Sequence, residues 1–376
     1  MKIGIDASRA FISKRTGIEE YSYQTIKHLR NKLDKAQVFL YLRKNQKVDF
    51  DLPENWKVKI INWPRLWTQA GLSLELLFHP VDVLFVPGHV APLIHPRNTI
   101  VTIHGLEFET YPAGYSFWER SYMRFAVKLS CRFAKKIIAV SKNTKKDLTD
   151  LYKITEGKIE VVHEGVNNNF QFSIFPATPD LAKRDNFQTI SNDKISNYKP
   201  YLLFIGRLEK RKNIEGIIDA YKILVEKHKI PHGLVLMGGP GYGFETIKLK
   251  IENCKLKIET LGYVDEAVKW KLLSHADIFL FPSFYEGFGL PVLEAQGVGT
   301  PVVTSNVSSL LEVAGEGAAY CVPGEPFSIA EAAWSIIRDK DFRESVIEKG
   351  QENVKRFSWE KCAEEIAKIL TGEWTN

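Results

Sequence analysis

The sequence predicts an α/β protein built from two doubly wound parallel sheets, and three observations carry that prediction. Short apolar runs of strand length recur along most of the chain, separated by helical or irregular stretches. Continuous rather than alternating apolarity marks strands covered on both faces, as parallel sheets with helices on either side require. The rhythm lapses over Phe170 to Lys199, and a chain of 376 residues is long enough for two domains that each bury a core.

The first run, Lys2-Ile-Gly-Ile-Asp6, leads into a loop from Ala7 to Gly17 holding Arg9, Lys14 and Arg15, then a helix from about Ile18 to Leu29. A strand, a glycine loop and a helix in succession form the phosphate-binding layout of a doubly wound domain. Val38 to Leu42, Val58 to Ile61, Val83 to Val86, Thr99 to Ile103, Lys136 to Val140 and Ile159 to Val162 follow as strands. The stretch from Phe170 to Lys199 carries Pro176, Pro179 and many Ser, Asn, Asp and Lys residues, which predicts a linker with a variable insert. Strands resume at Tyr201 to Ile205, Gly233 to Met237, Ile258 to Gly262, Ile278 to Phe281 and Val302 to Thr304. Ser358-Trp-Glu-Lys361 then opens an amphipathic helix. The domain boundaries expected from this pattern are 1–170, a linker at 171–199, a second domain at 200–356 and a terminal helix at 357–376.

Apolar content of 44% and charged content of 26% are those of a globular protein, and no window approaches a membrane span. The amino terminus has a strand where a secretory signal would have a basic and then an apolar region, so a cytoplasmic location is expected. Cys131, Cys254, Cys321 and Cys362 are scattered, with no Cys-x-x-Cys pair, and read as reduced core thiols rather than a zinc site. A formal charge of +6 permits contact with phosphates or anionic lipid and does not imply nucleic acid.

The most informative stretch is Phe281-Pro-Ser-Phe-Tyr-Glu-Gly-Phe-Gly-Leu-Pro-Val-Leu-Glu294. Its loop leaves a buried strand, Gly287 and Gly289 allow a sharp turn and close approach, and Pro291 suits the first turn of a helix. Such a loop aims free N–H groups and the helix dipole at an anion. Glu286 in the loop and Glu294 about one turn into the helix can face one pocket. Beside an anion, carboxylates are useful when they hold hydroxyls. A pocket that takes a phosphate and several hydroxyls takes a nucleotide sugar.

The Glu286-x7-Glu294 pair within Glu-Gly-Phe-Gly-Leu-Pro-Val-Leu-Glu resembles the signature of the retaining GT-B glycosyltransferases, specifically glycosyltransferase family 4. Other segments match in the right order along essentially the whole chain. Thr16-Gly-Ile-Glu-Glu-Tyr21 is similar to the family's first loop, with Glu19 where a second Gly is common. Thr102-Ile-His-Gly105 is similar to its Thr-Ile-His-Asp motif, with Gly105 in the Asp place. Val140-Ser141 and Val161-Val-His-Glu-Gly-Val-Asn167 resemble family positions at the interdomain cleft, the latter departing from His-Asn-Gly-Val-Asp at Glu164 and Asn167. Gly206-Arg-Leu-Glu-Lys-Arg-Lys-Asn213 resembles Gly-Arg-Leu…Lys-Asn, with Lys210 and Arg211 lying beside the matched residues.

The resemblance implies a GT-B fold of two Rossmann-like domains facing across a cleft, with the C-terminal helix crossing back to the first. It implies a hexosyltransferase acting from a nucleoside diphosphate sugar, mannose-like, onto a saccharide or lipid-linked acceptor in surface-polysaccharide synthesis. The roles implied are His104 and Glu286 on the donor sugar, Arg207 and Lys212 on the diphosphate, and Glu294 on the ribose. Gly17, Gly287, Phe288, Gly289 and Leu290 would border the donor phosphates and Val264 the nucleobase. No cofactor or metal is expected, because no Asp-x-Asp stands at a strand end. A sugar-nucleotide epimerase of the same fold, or a nucleotide-sugar binding protein without catalysis, are the rival readings. Gly238-Gly-Pro-Gly-Tyr-Gly243 and Asp339-Lys-Asp341 imitate a dinucleotide fingerprint and a metal motif; Pro240 and the lack of a feeding strand argue against them. Finally, Phe117 to Lys136 interleaves Arg120, Arg124, Lys128 and Arg132 with Phe117, Trp118, Tyr122 and Phe125, the make-up of a helix lying on anionic lipid at the inner face of the plasma membrane.

Overall fold

The computed structural model describes residues 1–13, 15–166 and 200–372. Lys14, Asn167 and the segment expected as the linker lie outside the described residues. The chain divides into two compact units. The first comprises Met1–Glu109, Phe117–Gly165 and Phe357–Asn376, and the second Thr110–Ser116 and Val166–Arg356.

In the first unit, strands β1 (Lys2–Asp6), β2 (Gln37–Arg43), β3 (Trp56–Ile61), β4 (Val83–Val86), β5 (Asn98–Ile103), β6 (Lys136–Ala139) and β7 (Ile159–Val161) form one sheet. Its order is β3-β2-β1-β4-β5-β6-β7 and every pairing is parallel. The Val-Leu-Phe-Val of β4 is buried throughout, which is why it reads as an unbroken apolar run. The helix Gly17–Leu29 starts from a capping box, in which Glu19 Oε2 accepts from the Thr16 backbone N–H at 3.3 Å. Glu19 thus fixes the helix start that a second glycine would loosen. The helix Trp359–Thr371, capped by Ser358, belongs to this unit and packs on Gly17–Leu29. Its buried stripe runs through Trp359, Cys362, Ile366 and Leu370.

In the second unit, β8 (Tyr201–Ile205), β9 (Gly233–Met237), β10 (Ile258–Gly262), β11 (Ile278–Phe281), β12 (Val302–Ser305) and β13 (Ala319–Cys321) form a parallel sheet in the order β10-β9-β8-β11-β12-β13. The three residues of β13 make too short a run to be read from the sequence. Helices Ile214–His228 and Pro326–Arg338 bury their apolar faces in the core of this sheet. The glycine run after β9 is a loop leading to the helix Phe244–Asn253. Asp339 caps the helix Lys340–Val354, its Oδ1 accepting from the Phe342 N–H at 3.0 Å.

Both sheets reverse their strand order once, between β1 and β4 in the first and between β8 and β11 in the second. Open α/β sheets bind ligands outside the carboxyl ends of strands at such a switch point. All four cysteines are free. Among the described residues no helix is long and apolar enough to cross a membrane.

Candidate active site

Each unit gathers chemistry-bearing side chains at its own switch point. In the second unit the loop leaving β8 supplies Arg207, Glu209, Arg211 and Lys212, and the loop leaving β11 supplies Tyr285 and Glu286. Lys212 Nζ lies 2.6 Å from Glu286 Oε1, and Arg211 reaches Glu286 Oε2 at 3.2 Å and Glu209 Oε1 at 2.7 Å. Arg211 also donates to the Tyr285 carbonyl at 2.7 Å, and Lys212 sits 4.8 Å from the Phe281 ring centre. Arg207 stands apart, 63% exposed and 3.9 Å from Glu209. It is the member of the group most available to a phosphate.

Burial opposes ionisation of Glu286, but Lys212 and Arg211 outweigh it and hold the carboxyl below its ordinary value. Burial pulls Lys212 the other way, below the ordinary lysine value, with Glu286 partly offsetting it. The Glu286 direction decides the charge of the group, because Arg211 is permanently cationic and keeps the carboxylate ionised whatever Lys212 does.

The turn after Glu286 is tied down from behind. The Glu286 N–H donates to Ser308 Oγ at 3.1 Å, and the Ser309 hydroxyl donates to the carbonyls of Glu286 and Phe288 at 2.8 and 2.7 Å. Gly289, at φ +119°, adopts a backbone that other residues avoid, and a Cβ there would approach Leu310 Cδ2 to 2.9 Å. It caps the helix Leu290–Gly297, with Pro291 in the first turn, so the amino end carries the positive half of a dipole. Gly287 is partly exposed and Phe288 buried. Glu294, in that helix, is held at 2.5 Å by Lys269 Nζ. Lys269 lies on the helix Glu266–His275, which Asp265 caps just after the half-buried Val264. The second unit therefore places Arg207 and Lys212 in one loop off β8, and Glu286, Phe288, Gly289 and Glu294 in one corner off β11.

The first unit holds a different group. His104, after β5, has Nδ1 3.1 Å from Glu164 Oε1 and Nε2 2.9 Å from the Pro87 carbonyl. The Tyr21 ring meets it edge-on at 4.6 Å, and His89 stacks on it at 5.4 Å with 12° between planes. The His104 backbone N–H donates to His89 Nε2 at 3.4 Å, which leaves the proton of a neutral His89 on Nδ1. That Nδ1 is buried and has no hydrogen-bond partner among the described residues. Burial, with His104 and Arg9 adding to it, holds His89 well below the ordinary histidine value. Beside it lies a cavity of about 40 Å³ that Asp6, Arg9 and Pro87 also line, room for a hydroxyl or a water. Gly17 opens the helix Gly17–Leu29, and a Cβ there would touch nothing within 4 Å.

Reasoning from the sequence left out His89, Glu209 and Lys269 and set Arg211 aside as a neighbour. Arg211 hides in a run of three basic residues, whose directions only the 3₁₀ turn at Lys210–Lys212 decides. His89 had a signal, since Pro87-Gly88-His89 follows a buried strand at the switch point. Among the described residues no three His, Cys, Asp or Glu side chains cluster as metal ligands.

On the helix Phe117–Phe133, Phe117 (73%), Trp118 (80%), Tyr122 (57%) and Phe125 (67%) are all exposed. Three of the basic residues beside them have partners within the protein. Arg120 donates to the Phe108 carbonyl, Arg124 pairs with Glu109, and Lys128 lies 4.8 Å from the Tyr152 ring centre.

Residues 15–170 match the family described as Glycosyltransferase Family 4, and residues 186–353 match Glycosyl transferases group 1. The chain is 30% identical over 268 residues to the O-antigen chain mannosyltransferase B of Escherichia coli, covering 71% of this chain and 68% of that one. It is 26% identical over 306 residues to the O-antigen chain mannosyltransferase RfbU of Salmonella typhimurium, with 81% and 76% covered. In fold it matches Anabaena HepE, solved with UDP-glucose, at a TM-score of 0.70 and 20% identity over 99% of this chain and all of the other. With two parallel-sheet units of this topology and relatives of this similarity, the chain belongs to the group 1 glycosyltransferases and has their GT-B fold.

Proposed function

We propose that this glycosyltransferase moves a mannose-like hexose from a nucleoside diphosphate sugar to a saccharide or lipid-linked acceptor, with retention of anomeric configuration and without a divalent metal. The observation that carries the reading is the corner of the second unit where Arg207, Arg211 and Lys212 follow β8 while Glu286 and a helix amino end follow the adjacent β11. Cations and a helix dipole suit a diphosphate, and carboxylates suit sugar and ribose hydroxyls. The names of the O-antigen relatives support mannose and a role in surface polysaccharide.

In the reaction the bond between the sugar's anomeric carbon and the diphosphate breaks as the acceptor oxygen bonds on the same face. The acceptor's proton passes to a departing phosphate oxygen, and the nucleoside diphosphate leaves. What the chain supplies is position and charge. Arg207, Lys212 and the helix end after Gly289 stabilise the charge on the leaving group. An ammonium has three donors, so Lys212 can turn one to phosphate while keeping Glu286 in place. Glu286, so held, takes the sugar hydroxyls, and Glu294 takes the ribose with Lys269 steadying it.

A thermal-shift screen against UDP, GDP, dTDP and ADP sugars identifies the donor, since a ligand at about 100 times its Kd adds about 2.7 kcal/mol. Proton NMR of the first-formed product then reads the anomer. Inversion, or interconversion of the donor sugar without an acceptor, would refute the proposal.

The acceptor side of the proposal includes contact with an anionic membrane at its cytoplasmic face, through the exposed aromatics of Phe117–Phe133. Because three of the basic residues are engaged within the protein, aromatic insertion carries more of the binding than charge does. Co-sedimentation with vesicles should rise with anionic lipid and fall in salt, and Trp118→Ser with Phe125→Ser should reduce it most. Pelleting unchanged by Trp118→Ser with Phe125→Ser would count against this contact.

A further inference from the structure

Two departures from the expected motifs meet at one side chain. Gly105, which follows His104, has φ +150°, in the range that disfavours every residue with a Cβ, and brings no side chain of its own. Glu164, 60 positions after His104 and 4% exposed, places Oε1 3.1 Å from His104 Nδ1. On the other edge of the ring, Nε2 faces the Pro87 carbonyl, which can only accept. Nε2 therefore carries a proton. Nδ1 faces a carboxylate, and the pair is satisfied when Nδ1 carries one as well. The Tyr21 ring stands at its edge and the His89 ring is stacked on its face.

We propose that Glu164 is the positioning residue of His104. Its carboxylate fixes Nδ1 as a donor and pins the ring, so that Nε2–H stays in line with the Pro87 carbonyl and can be shared, in a three-centre hydrogen bond, with a hydroxyl of the reacting sugar lying beside that carbonyl. The role of His104 at the sugar rests on the function proposed above; the Glu164–His104 coupling does not. A histidine needs such a partner because which nitrogen bears the proton is set by the hydrogen bond the other one makes. A carboxylate at 105 could not do this with the present backbone. The chain supplies one from the loop after β7 instead.

Glu164→Gln keeps the shape and removes the charge, and Glu164→Ala and His104→Ala accompany it. The first readout is the ring ¹⁵N signals of His104 in free, histidine-labelled protein, assigned by their loss in His104→Ala. Nδ1 should be protonated in the wild type and become a bare acceptor of the Gln amide in Glu164→Gln. The second is turnover of whichever UDP, GDP, dTDP or ADP sugar raises Tm most. Glu164→Gln should lower kcat roughly tenfold to a hundredfold with donor KM nearly unchanged, and should add little in the His104→Ala background. An unchanged Nδ1 signal overturns the proposal even if kcat falls, because Glu164 would then act other than through His104. A changed signal with unchanged kcat overturns it too, as does full additivity with His104→Ala. A wild type inactive on all these donors would instead refute the proposed function, and the ¹⁵N result would still decide the coupling.

Discussion

The two switch points solve the problem of buried polarity in opposite ways. In the second unit Arg211 and Lys212 meet Glu286, and Arg211 meets Glu209, so the site is a set of fixed charges. In the first unit His104 has Tyr21 at its edge and His89 on its face, and Glu164 is paired with a histidine rather than with a lysine or an arginine. Fixed charge suits a ligand that is anionic before and after transfer, a diphosphate. An adjustable pair suits hydroxyls, whose hydrogen-bond polarity reverses between donor and acceptor. The contrast implies that the two sites should fail differently when a carboxylate is removed.

The largest effect tests that contrast directly. Glu286→Ala leaves Arg211 and Lys212 buried without their shared anion and should cost about 3–5 kcal/mol of stability. Glu164→Ala, whose partner can neutralise itself, should cost about 1–3 kcal/mol. Urea unfolding of both variants checks this, and equal losses would erase the distinction between fixed and adjustable charge.

Next, Lys212→Ala should lose on the order of a hundredfold or more in turnover, the usual cost of one partner of transition-state charge. Activity in excess EDTA should stay near its untreated level. If chelation abolishes transfer and magnesium or manganese restores it, Arg207, Lys212 and the helix end are not the whole of the charge stabilisation.

Glu294→Ala should weaken binding of the bare nucleoside diphosphate by about 1.5–3 kcal/mol, since ribose hydroxyls lose a charged acceptor. Glu286→Gln should leave that affinity nearly intact and depress turnover. Calorimetric titration separates them, and equal losses of affinity would merge the sugar and ribose roles.

The smallest effect is on pH dependence. The stability Glu286 contributes is present above its unfolded value of 4.5, because its folded value is depressed, and is lost as pH falls through the folded value. Unfolding midpoints taken above and below that value should therefore drop more in the wild type than in Glu286→Gln. Parallel curves would mean that other carboxylates set the acid limit.

The second site was legible in the sequence because its parts are contiguous. Gly206 to Asn213 and Glu286 to Glu294 are two short stretches, each a loop from an apolar strand into a helix, and their spacing fixes which side chains share one corner. The first site draws on Tyr21, Pro87, His89, His104 and Glu164, which lie on four separate segments. No spacing links them. The alternation of apolar runs likewise located the strands except β13, whose three residues carry too little pattern.

By itself the sequence determined the parallel α/β class, the strand-loop-helix corners and the types of residue gathered at them, because these follow from local periodicity and turn chemistry. Tertiary structure decided which side chains pair. Arg211 rather than Lys210 joins Glu286, Lys269 holds Glu294, and Glu164 pairs with His104. Such pairings depend on where strands distant in sequence end in space, and a charged side chain takes the nearest buried partner, not the nearest one along the chain.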